Sequence, residues 1–473
     1  MNLIGRFRNS LAQRISTANT RNLFAESFYK FLGGVFTAYD KKAKTYLEKG
    51  YGTNPDVYAV IQQMSVKTAS VPYYVKKIKD EDSMKNLKRL EFSTKGDMSI
   101  AQKVKAKIYE TKAMGTEKPF PLDRPNPTQT WSEFWSLCKT FFRTTGNVYI
   151  YMVTPGDDSI NVGVPLQVYI LPSHMTQIIL KKGIDLLGIE SPIDHYILTE
   201  GDKYIKFPAQ DVIHIKTPNP FFDMNGSHLY GLSPLRAALV NVQSTNEGLQ
   251  NNVKTMKNGG AFGLIHGKGM PLNPEQAKQI KDRLVEMDKS PERLSKIAGV
   301  SSEVGFIRIA LNTDELKPFD YMKYDQKQIC NVLGWSDALL NNDDGGKYDK
   351  QQKELTRVVT DNIMPDLRIF EEAMNTYFLP RFKGYEGYVM RWDASELPEM
   401  QTDMEKLVNW MKELKDRGII TSEEFRLSIN YPESGNPLLS EYTVTMKTER
   451  LEDALNLNSE IDRVFRLDTE EDE

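Results

Sequence analysis

GLSPLRAALVNVQSTNEGLQNNVKTMKNGG, residues 231–260, reads as one long helix with both of its ends marked in the sequence. Ser233 and Pro234 suit the N-cap and the first helical position, and Gly259 with Gly260 suits the end. The apolar side chains recur at steps of 4, 3, 7, 4 and 3, namely Leu235, Leu239, Val242, Leu249, Val253 and Met256. So narrow a stripe predicts a helix that packs lengthwise on a neighbour. Its other side is rich in Asn, Gln, Ser and Thr, which suits a solvated surface or the wall of a water-filled channel.

Downstream of this helix the sequence predicts a small insert and then a second helix. Residues 261–312 read as strand, helix and strand, from FGLIHG through NPEQAKQIKDRLVEM to VGFIRIAL. Asn273 caps the helix of the insert and Pro274 opens it. The second helix runs from about Pro318 to Leu333.

The segment GWSDALLNNDDGGKYDKQQ, residues 334–352, separates this second helix from a third, although it has little to bury. It is either a plain surface turn or the segment with which the protein contacts its substrate or binding partner. The third helix covers about residues 350–377, and Pro365 inside it removes a backbone donor and predicts a kink. Two strands around YEGYVMRW, charged amphipathic helices from Glu399 to about Val464 and the acidic tail LDTEEDE complete the chain.

The first half of the chain mixes helices with short strands. Asn54 and Pro55 begin a helix that leads into a strand, and Thr130 with Glu133 forms a capping box before a strongly aromatic helix. Residues 76–118 are charged and poor in apolar residues except in their C-terminal, helical part, which predicts a partly mobile surface excursion. The runs LQVYILP, TQIILKK, HYILTE and DVIHIK predict an antiparallel sheet region.

The first sixteen residues form an amphipathic pattern, with apolar side chains every four residues: Leu3, Phe7, Leu11 and Ile15. A helix docked on a protein surface or a frayed arm is the favoured interpretation, and a membrane-surface anchor is the alternative.

Composition predicts a folded cytosolic protein of more than one structural unit. The chain has 473 residues, of which 40% are hydrophobic and 26% are charged, and its mean hydropathy is -0.49. Cys138 and Cys330 lie in apolar segments far apart, which fits buried free thiols better than a disulfide. No apolar run reaches the roughly 18 to 20 residues that span a bilayer. With a net charge of -3, the chain has no excess of basic residues such as a tight nucleic-acid binder shows.

No pattern of catalytic or metal-binding residues emerges. The five histidines have no metal-ligand spacing, and the nucleotide-binding and hydrolase motifs GxxxxGK[ST], GxGxxG and GxSxG do not occur. We therefore predict no enzyme activity, no metal site and no cofactor.

Ten short motifs occur in an order that resembles one known family. They are NPDVYAVIQQMSVKTASVPYYV, RPNPTQTWSEF, TTGNVYIY, VYILP, DVIHIK, GLSPLRAA, KNGG before a strand, ICNVLGW, IMPDLRIFEEAMN and DRGIITSEEFRLSINYPE. Together they resemble the portal proteins of long-tailed double-stranded DNA bacteriophages over about residues 50–433. Two departures are visible: Ser336 stands where the family often has proline, and the charged stretch near residues 76–118 is longer than usual.

The resemblance implies an α+β, mainly α, portal fold that forms a ring. It would comprise an N-terminal arm (1–16), a wing in two parts (17–232 and 351–394), stem helices (233–260 and 313–335), a clip (261–312), a tunnel loop (336–350), and a crown with the acidic tail (395–473). The ring, typically of twelve subunits, would sit at one capsid vertex of the virion after synthesis in the host cytoplasm. It would serve as the channel for genome packaging and ejection.

The same resemblance implies partners and candidate site residues. The partners would be double-stranded DNA bound without sequence preference, terminase, a head-tail adaptor, the major capsid protein and the scaffold, without stable membrane insertion. The candidate residues fall into four groups: DNA contact by Asn341, Asn342, Lys347, Tyr348 and Lys350; a hinge at Gly345 and Gly346; clip docking by Lys278, Lys281 and Arg283; and stem packing by Leu249 and Val253. A DNA-processing enzyme and a membrane-associated scaffold are the alternative functions.

Overall fold

The computed structural model describes most of the chain. The described residues are 43–93, 99–155, 163–181, 192–201, 203–221, 227–257, 263–267, 273–289, 304–308, 318–340, 348–429, 431, 434–444 and 449–450. The predicted N-terminal arm, the acidic tail and residues 341–347 of the loop lie outside this part of the chain.

Helices make up most of the described structure. They are α1 (Pro55–Ser70), α2 (Glu81–Ser93), α3 (Ile100–Ala113), α4 (Trp131–Thr144), α5 (Leu235–Lys257), α6 (Pro274–Lys289), α7 (Pro318–Leu333), α8 (Tyr348–Val358), α9 (Met364–Ala373), α10 (Gln401–Asp416) and α11 (Ser422–Ser428). Single π-helical turns lie before α1 (Tyr46–Tyr51), between α8 and α9 (Val359–Ile363) and after α9 (Met374–Phe378).

The strands form small antiparallel sheets. They are β1 (Tyr73–Ile78), β2 (Met114–Lys118), β3 (Asn147–Val153), β4 (Gln167–Leu171), β5 (Thr176–Leu180), β6 (Ile193–Glu200), β7 (Lys203–Pro208), β8 (Val212–Lys216), β9 (Gly263–Gly267), β10 (Val304–Arg308), β11 (Tyr388–Trp392), β12 (Thr443–Val444) and β13 (Glu449–Arg450). Three sheets have three strands each, in the orders β11-β1-β2, β4-β3-β8 and β5-β6-β7. The other two sheets have two strands each, β9-β10 and β12-β13.

Helix α4 lies at the centre of the main core. The predicted capping box is confirmed: Thr130 Oγ1 accepts from the amide of Glu133, and a Glu133 carboxylate oxygen accepts from the amide of Thr130 at 2.7 Å. The aromatic face of the helix is buried against α1, β3 and α9, with Trp135 only 2% exposed. Gly146, at φ 76°, then turns the chain directly into β3.

The third helix is longer and less regular than its sequence pattern predicts. Helices α8 and α9 run on through a π-helical turn, and Pro365 follows that turn. The wider turn changes the hydrogen-bonding register where proline lacks a donor, which is one way in which a helix accommodates proline.

Several predictions of elements are wrong. Residues 76–118 are not a partly mobile excursion, because they form α2, α3 and β2, and Met84, Leu87 and Ala113 pack into a small core of their own; the helix expected in their C-terminal part is present as α3. One strand, β11, replaces the two expected around YEGYVMRW. Residues 443–450 hold part of a hairpin where a helix was expected. Strand β7 was missed because nearly all of its side chains are exposed, so the sequence shows no buried alternation.

Within the described residues, no helix is long and apolar enough to cross a membrane.

Candidate functional site

Helices α5 and α7 form an antiparallel pair. Near the start of α5, Asn241 Nδ2 donates to Asp325 Oδ1 at 2.8 Å. Near its end, Asn252 approaches the sulfur of Met322, which lies earlier in α7. Gly248 lies against the same Met322 side chain. The lengthwise packing predicted for α5 is therefore present, and α7 is its neighbour.

The polar side chains of α5 divide between two environments. Asn241, Thr245 and Asn246 face other elements: Thr245 is 1% exposed, and Asn246 Oδ1 accepts from Asn54 Nδ2 at 3.0 Å. The outward side is exposed and mostly uncharged, at Gln243, Ser244, Glu247, Gln250 and Asn251. Only part of the polar surface of α5 is therefore exposed in the chain.

The outward side of α7 has a different character. Tyr321 and Tyr324 are 67% and 60% exposed, and Lys323 and Lys327 are exposed beside them. Aromatic rings that alternate with cations suit a partner that is partly apolar and partly anionic. The helix pair thus presents one uncharged polar side and one aromatic, basic side.

The end of α7 is fixed by a glycine and an asparagine. Gly334 has φ 73°, and the amide of Trp335 donates to the carbonyl of Cys330 at 2.8 Å, which closes the helix. Asn362, in the π-helical turn between α8 and α9, donates from Nδ2 to the carbonyls of Leu333 at 2.8 Å and Gly334 at 2.7 Å. A Cβ at position 334 would lie 2.3 Å from Asn362 Nδ2, so only glycine fits here.

A buried polar chain connects this point to α4. Arg143 donates to Asn362 Oδ1 and, from Nε, to Asp366 Oδ2 at 2.8 Å. The Lys139 ammonium group, fully buried, donates to the same Asp366 oxygen at 2.5 Å. Burial lowers the pKa of Lys139 to about 8, against the opposing attraction of Asp366. We call Lys139, Arg143, Asn362 and Asp366 the root clamp, because it fastens both sides of the loop to the core.

A cavity of about 570 Å³ opens beside the root clamp. It is lined by residues from the end of α7 and the start of α8, including Trp335, Asp337, Lys350 and Glu354. Trp335 Nε1 is buried and has no hydrogen-bond acceptor within the described part of the chain. The loop therefore begins and ends at the rim of one polar cavity.

The predicted loop residues are only partly described. Asn341, Asn342, Gly345, Gly346 and Lys347 lie outside the described residues. Tyr348 begins α8, and Lys350 is exposed in its first turn.

The other predicted site residues lie on regular elements. Lys278 and Lys281 are exposed on α6, and Arg283 belongs to the same helix. Leu249 is half-buried on α5, whereas Val253 is 51% exposed. These positions leave Val253 free to contact a further copy of the chain.

Sequence reasoning missed the root clamp. Its one visible signal is Lys139, a cation inside the aromatic stretch WSEFWSLCKTFF, with Arg143 one helical turn later. A cation at a buried position of a helix requires an anionic partner, but the sequence does not indicate that the partner is Asp366.

The side chains that could carry chemistry are not gathered into a site. Among the described residues, no group of three or more His, Cys, Asp or Glu side chains is placed to hold a metal ion. Cys138 and Cys330 are buried free thiols, as predicted, and burial raises the pKa of both.

Comparisons with known proteins agree with the geometry. Residues 101–430, more than half of the chain, match the family "Phage portal protein", whereas no curated protein matches the sequence. The fold is similar to a chain in the "Neck of native GTA particle computed with C12 symmetry" (TM-score 0.56, 16% identity, covering 86% of this chain and 98% of that one). It is also similar to chains in the neck of the empty gene transfer agent particle computed with C6 symmetry (TM-score 0.54, 17% identity, 85% and 97% covered) and in the native virion (TM-score 0.53, 18% identity, 83% and 94% covered). The chain therefore belongs to the phage portal protein family.

Proposed function

We propose that the ring which this phage portal protein forms at the capsid vertex is the channel for genome packaging and ejection. In this proposal α5 and α7 lie in the stem (233–260 and 313–335), and residues 336–350 form a tunnel loop that touches the duplex. The C12 symmetry of a neck that contains a chain of similar fold favours twelve subunits. Scaffold and major capsid protein would be further partners of the ring.

The observation that carries this proposal is the fixed root of the loop. The root clamp holds the end of α7 to the helix that follows the loop, and Gly334 sharply redirects the chain at that point. A loop of polar and glycine residues that is fastened at both ends can move at its tip while its ends stay in place. Such a loop suits sliding contact with DNA better than tight binding.

The loop's charges support the same interpretation. The basic residues Lys347 and Lys350 are offset by four acids, Asp337, Asp343, Asp344 and Asp349, so phosphate attraction is weak. Asn341, Asn342 and Tyr348 remain as contacts that do not read sequence. A channel that must release DNA gains from weak contacts of this kind.

The insert 261–312 is the proposed docking unit for terminase and then for the head-tail adaptor. Strands β9 and β10 pair antiparallel, and α6 lies between them in sequence with exposed lysines. We expect reversal of the charges of Lys278, Lys281 and Arg283 to weaken terminase binding in a pull-down while rings remain intact by electron microscopy. Undiminished terminase binding would place the docking site elsewhere.

The loop itself is tested by complementation of a phage that lacks its portal gene. Replacing Gly345 and Gly346 with valine disfavours positive φ and stiffens the loop. We expect rings and capsids of normal size but less DNA per capsid, measured by DNA content of purified particles. Full packaging by this variant would return residues 336–350 to the status of a plain connector.

A further inference from the structure

The helix pair α5 and α7 has two exposed sides of different character, and a ring requires such a difference. In a closed ring of more than two identical subunits, each contact joins one surface of a subunit to a different surface of the next. Every subunit therefore needs two unlike surfaces that fit each other. The aromatic, basic side of α7 and the mostly uncharged side of α5 meet the first of these requirements.

The side of α7 carries two large rings and two cations. Tyr321 and Tyr324, about one helical turn apart, are 67% and 60% exposed. Lys323 and Lys327, also about one turn apart, are exposed beside them and form no ion pair with another described side chain. Tyrosine is enriched in protein interfaces, because its ring buries a large area while its hydroxyl group still finds a polar partner. This side of α7 therefore has the composition of a protein contact.

The side of α5 forms one continuous stripe along the helix. Its exposed residues are spaced by 4, 3, 4 and 3 positions, namely Arg236, Val240, Gln243, Glu247 and Gln250, and we call them the α5 stripe. Val240 is apolar and yet 75% exposed. The guanidinium group of Arg236 lies over the ring of Phe221 at 4.5 Å, whereas Glu247 forms no ion pair with another described side chain. The α5 stripe thus offers an exposed apolar residue and an unpaired acid.

Contacts within the pair show which parts of the two helices lie at the same level. Asn241 of α5 contacts Asp325 of α7, and Gly248 of α5 lies against Met322 of α7. The stretches between these contacts lie side by side. The exposed residues of the two stretches therefore lie within about a turn of one another along the pair.

A ring carries these levels over from one subunit to the next. In the proposed function the pair lies in the stem, so that rotation about the ring axis leaves each residue near its own level. Lys323 of one subunit then lies near the level of Glu247 in the next, and Tyr324 lies opposite the stretch from Val240 to Glu247. Two unpaired cations meet an unpaired acid, and an exposed ring meets an exposed valine.

We propose that the aromatic, basic side of α7 packs on the α5 stripe of the neighbouring subunit. Lys323 and Lys327 pair with Glu247 across this contact, and Tyr324 covers Val240 and Gln243. The contact rests on the proposed function and deepens it, because it names the two surfaces that close the stem of the ring.

DNA is the competing partner for the aromatic, basic side of α7. Lysines in the channel wall would attract phosphates. The α5 stripe would then have no counterpart, and Val240 would stay exposed to water in the ring. A contact between subunits accounts for both surfaces at once.

Cysteine cross-linking tests which surfaces meet. One subunit carries Lys327→Cys, a second and tagged subunit carries Gln243→Cys, and the two are assembled together and treated with a short bismaleimide. The native Cys138 and Cys330 are buried and do not compete. We expect a covalent dimer that contains one subunit of each kind. The control pairs Lys327→Cys with Tyr204→Cys, which is 63% exposed on β7, and should give no such dimer.

Charge reversal tests the pairing itself. Lys323→Glu alone, or Glu247→Lys alone, places like charges opposite each other and should raise the protein concentration needed for rings by roughly 10-fold. The double variant restores opposite charges and should form rings near the concentration of the unaltered protein. Electron microscopy over a dilution series measures assembly, and circular dichroism verifies folding.

Three results would overturn the proposal. They are cross-linking no stronger than in the control, a double variant that assembles no better than the single variants, and a Lys323→Glu variant that assembles normally but binds a fluorescent duplex more weakly. The last would assign this side of α7 to DNA. Failure of the proposed function would look different: the unaltered protein would form no rings, or cross-linked rings would form while packaging ignored changes in the loop.

Discussion

The root clamp gives the sharpest quantitative prediction, because one side chain closes the end of α7. Besides the hydrogen bond that its Oδ1 accepts from Arg143, Asn362→Ala removes two hydrogen bonds to the end of α7, to the carbonyls of Leu333 at 2.8 Å and Gly334 at 2.7 Å. At about 1 kcal/mol each, the end of α7 should open more easily by about 2 kcal/mol. Since 1.4 kcal/mol corresponds to a factor of ten, local amide exchange should accelerate roughly 30-fold.

Hydrogen-deuterium exchange measured by mass spectrometry tests this prediction. The informative peptides cover residues 330–336, where the amide of Trp335 donates to Cys330. Asn375→Ala is a matched control, because Asn375 makes the same type of contact elsewhere: it donates to the carbonyl of Met390 at 2.9 Å and accepts from its amide at 2.8 Å. The control should accelerate exchange in β11 and leave residues 330–336 unchanged.

Two results would refute the reasoning. One is unchanged exchange over residues 330–336 in Asn362→Ala. The other is acceleration there of equal size in Asn375→Ala, which would show a general loss of stability. Either result would mean that the core packing of α7, not the asparagine, fixes the start of the loop.

Three further predictions concern stability, assembly and DNA passage. Burial raises the pKa of Glu371 to about 7 from its ordinary 4.5. The folded protein therefore loses stability as the pH rises from 4.5 to 7, because the unfolded chain ionises this carboxyl more easily. Glu371→Gln should stabilise the protein at pH 8 by on the order of 2–3 kcal/mol but should not do so at pH 4.5. Equal urea midpoints for the two proteins at pH 8 would contradict this. Leu249→Asp with Val253→Asp should bury charge at a subunit contact and prevent rings in electron micrographs, and rings at the usual protein concentration would exclude that contact. Lys347→Gln with Lys350→Gln should reduce DNA per capsid only moderately, since in the proposed channel these lysines would guide the duplex, and a complete loss would show that they hold it.

The elements that sequence predicts well are those with their own local signals. Helix α4 begins at its capping box, and α1 begins at Asn54, whose side chain accepts from the amides of Asp56 and Val57. Helix α7 has the predicted bounds, Pro318–Leu333. In each case the residues that stop or start the helix lie within a few positions of its end, so no tertiary information is needed.

The charged stretch 76–118 was misinterpreted because it contains few apolar residues on average. Those few residues nevertheless recur at helical spacing. Met84 and Leu87 lie one helical turn apart on α2, and Val104 and Ile108 do so on α3. These few apolar residues suffice because α3 is covered on two sides, by α2 and by α10. A helix that packs against two neighbours needs only a few apolar side chains on each of the two packed sides.

The candidate site was harder to predict than the fold, for a physical reason. Arg143 and Asp366 are 223 positions apart in the chain, yet they meet at 2.8 Å. Polar pairs of this kind are selected by the tertiary arrangement, and any of the many acids in the sequence would satisfy a buried lysine equally well. The loop could be located from its composition, whereas its attachment could not.

The attachment determines where mechanical force can travel. The first turns of α5 are buried in the main core at Leu235 and Val242, while Val253 near its far end is 51% exposed. The end of α7 is fixed to that core by Asn362, and the helix after the loop is fixed to it by Asp366. In the proposed channel, a duplex that pushes on the loop would therefore load α4 and the core through the root clamp. Helix α7 also connects the loop to the insert directly, so in the proposed channel the root clamp would divert part of the load into the core before it reaches a partner that is docked on the insert.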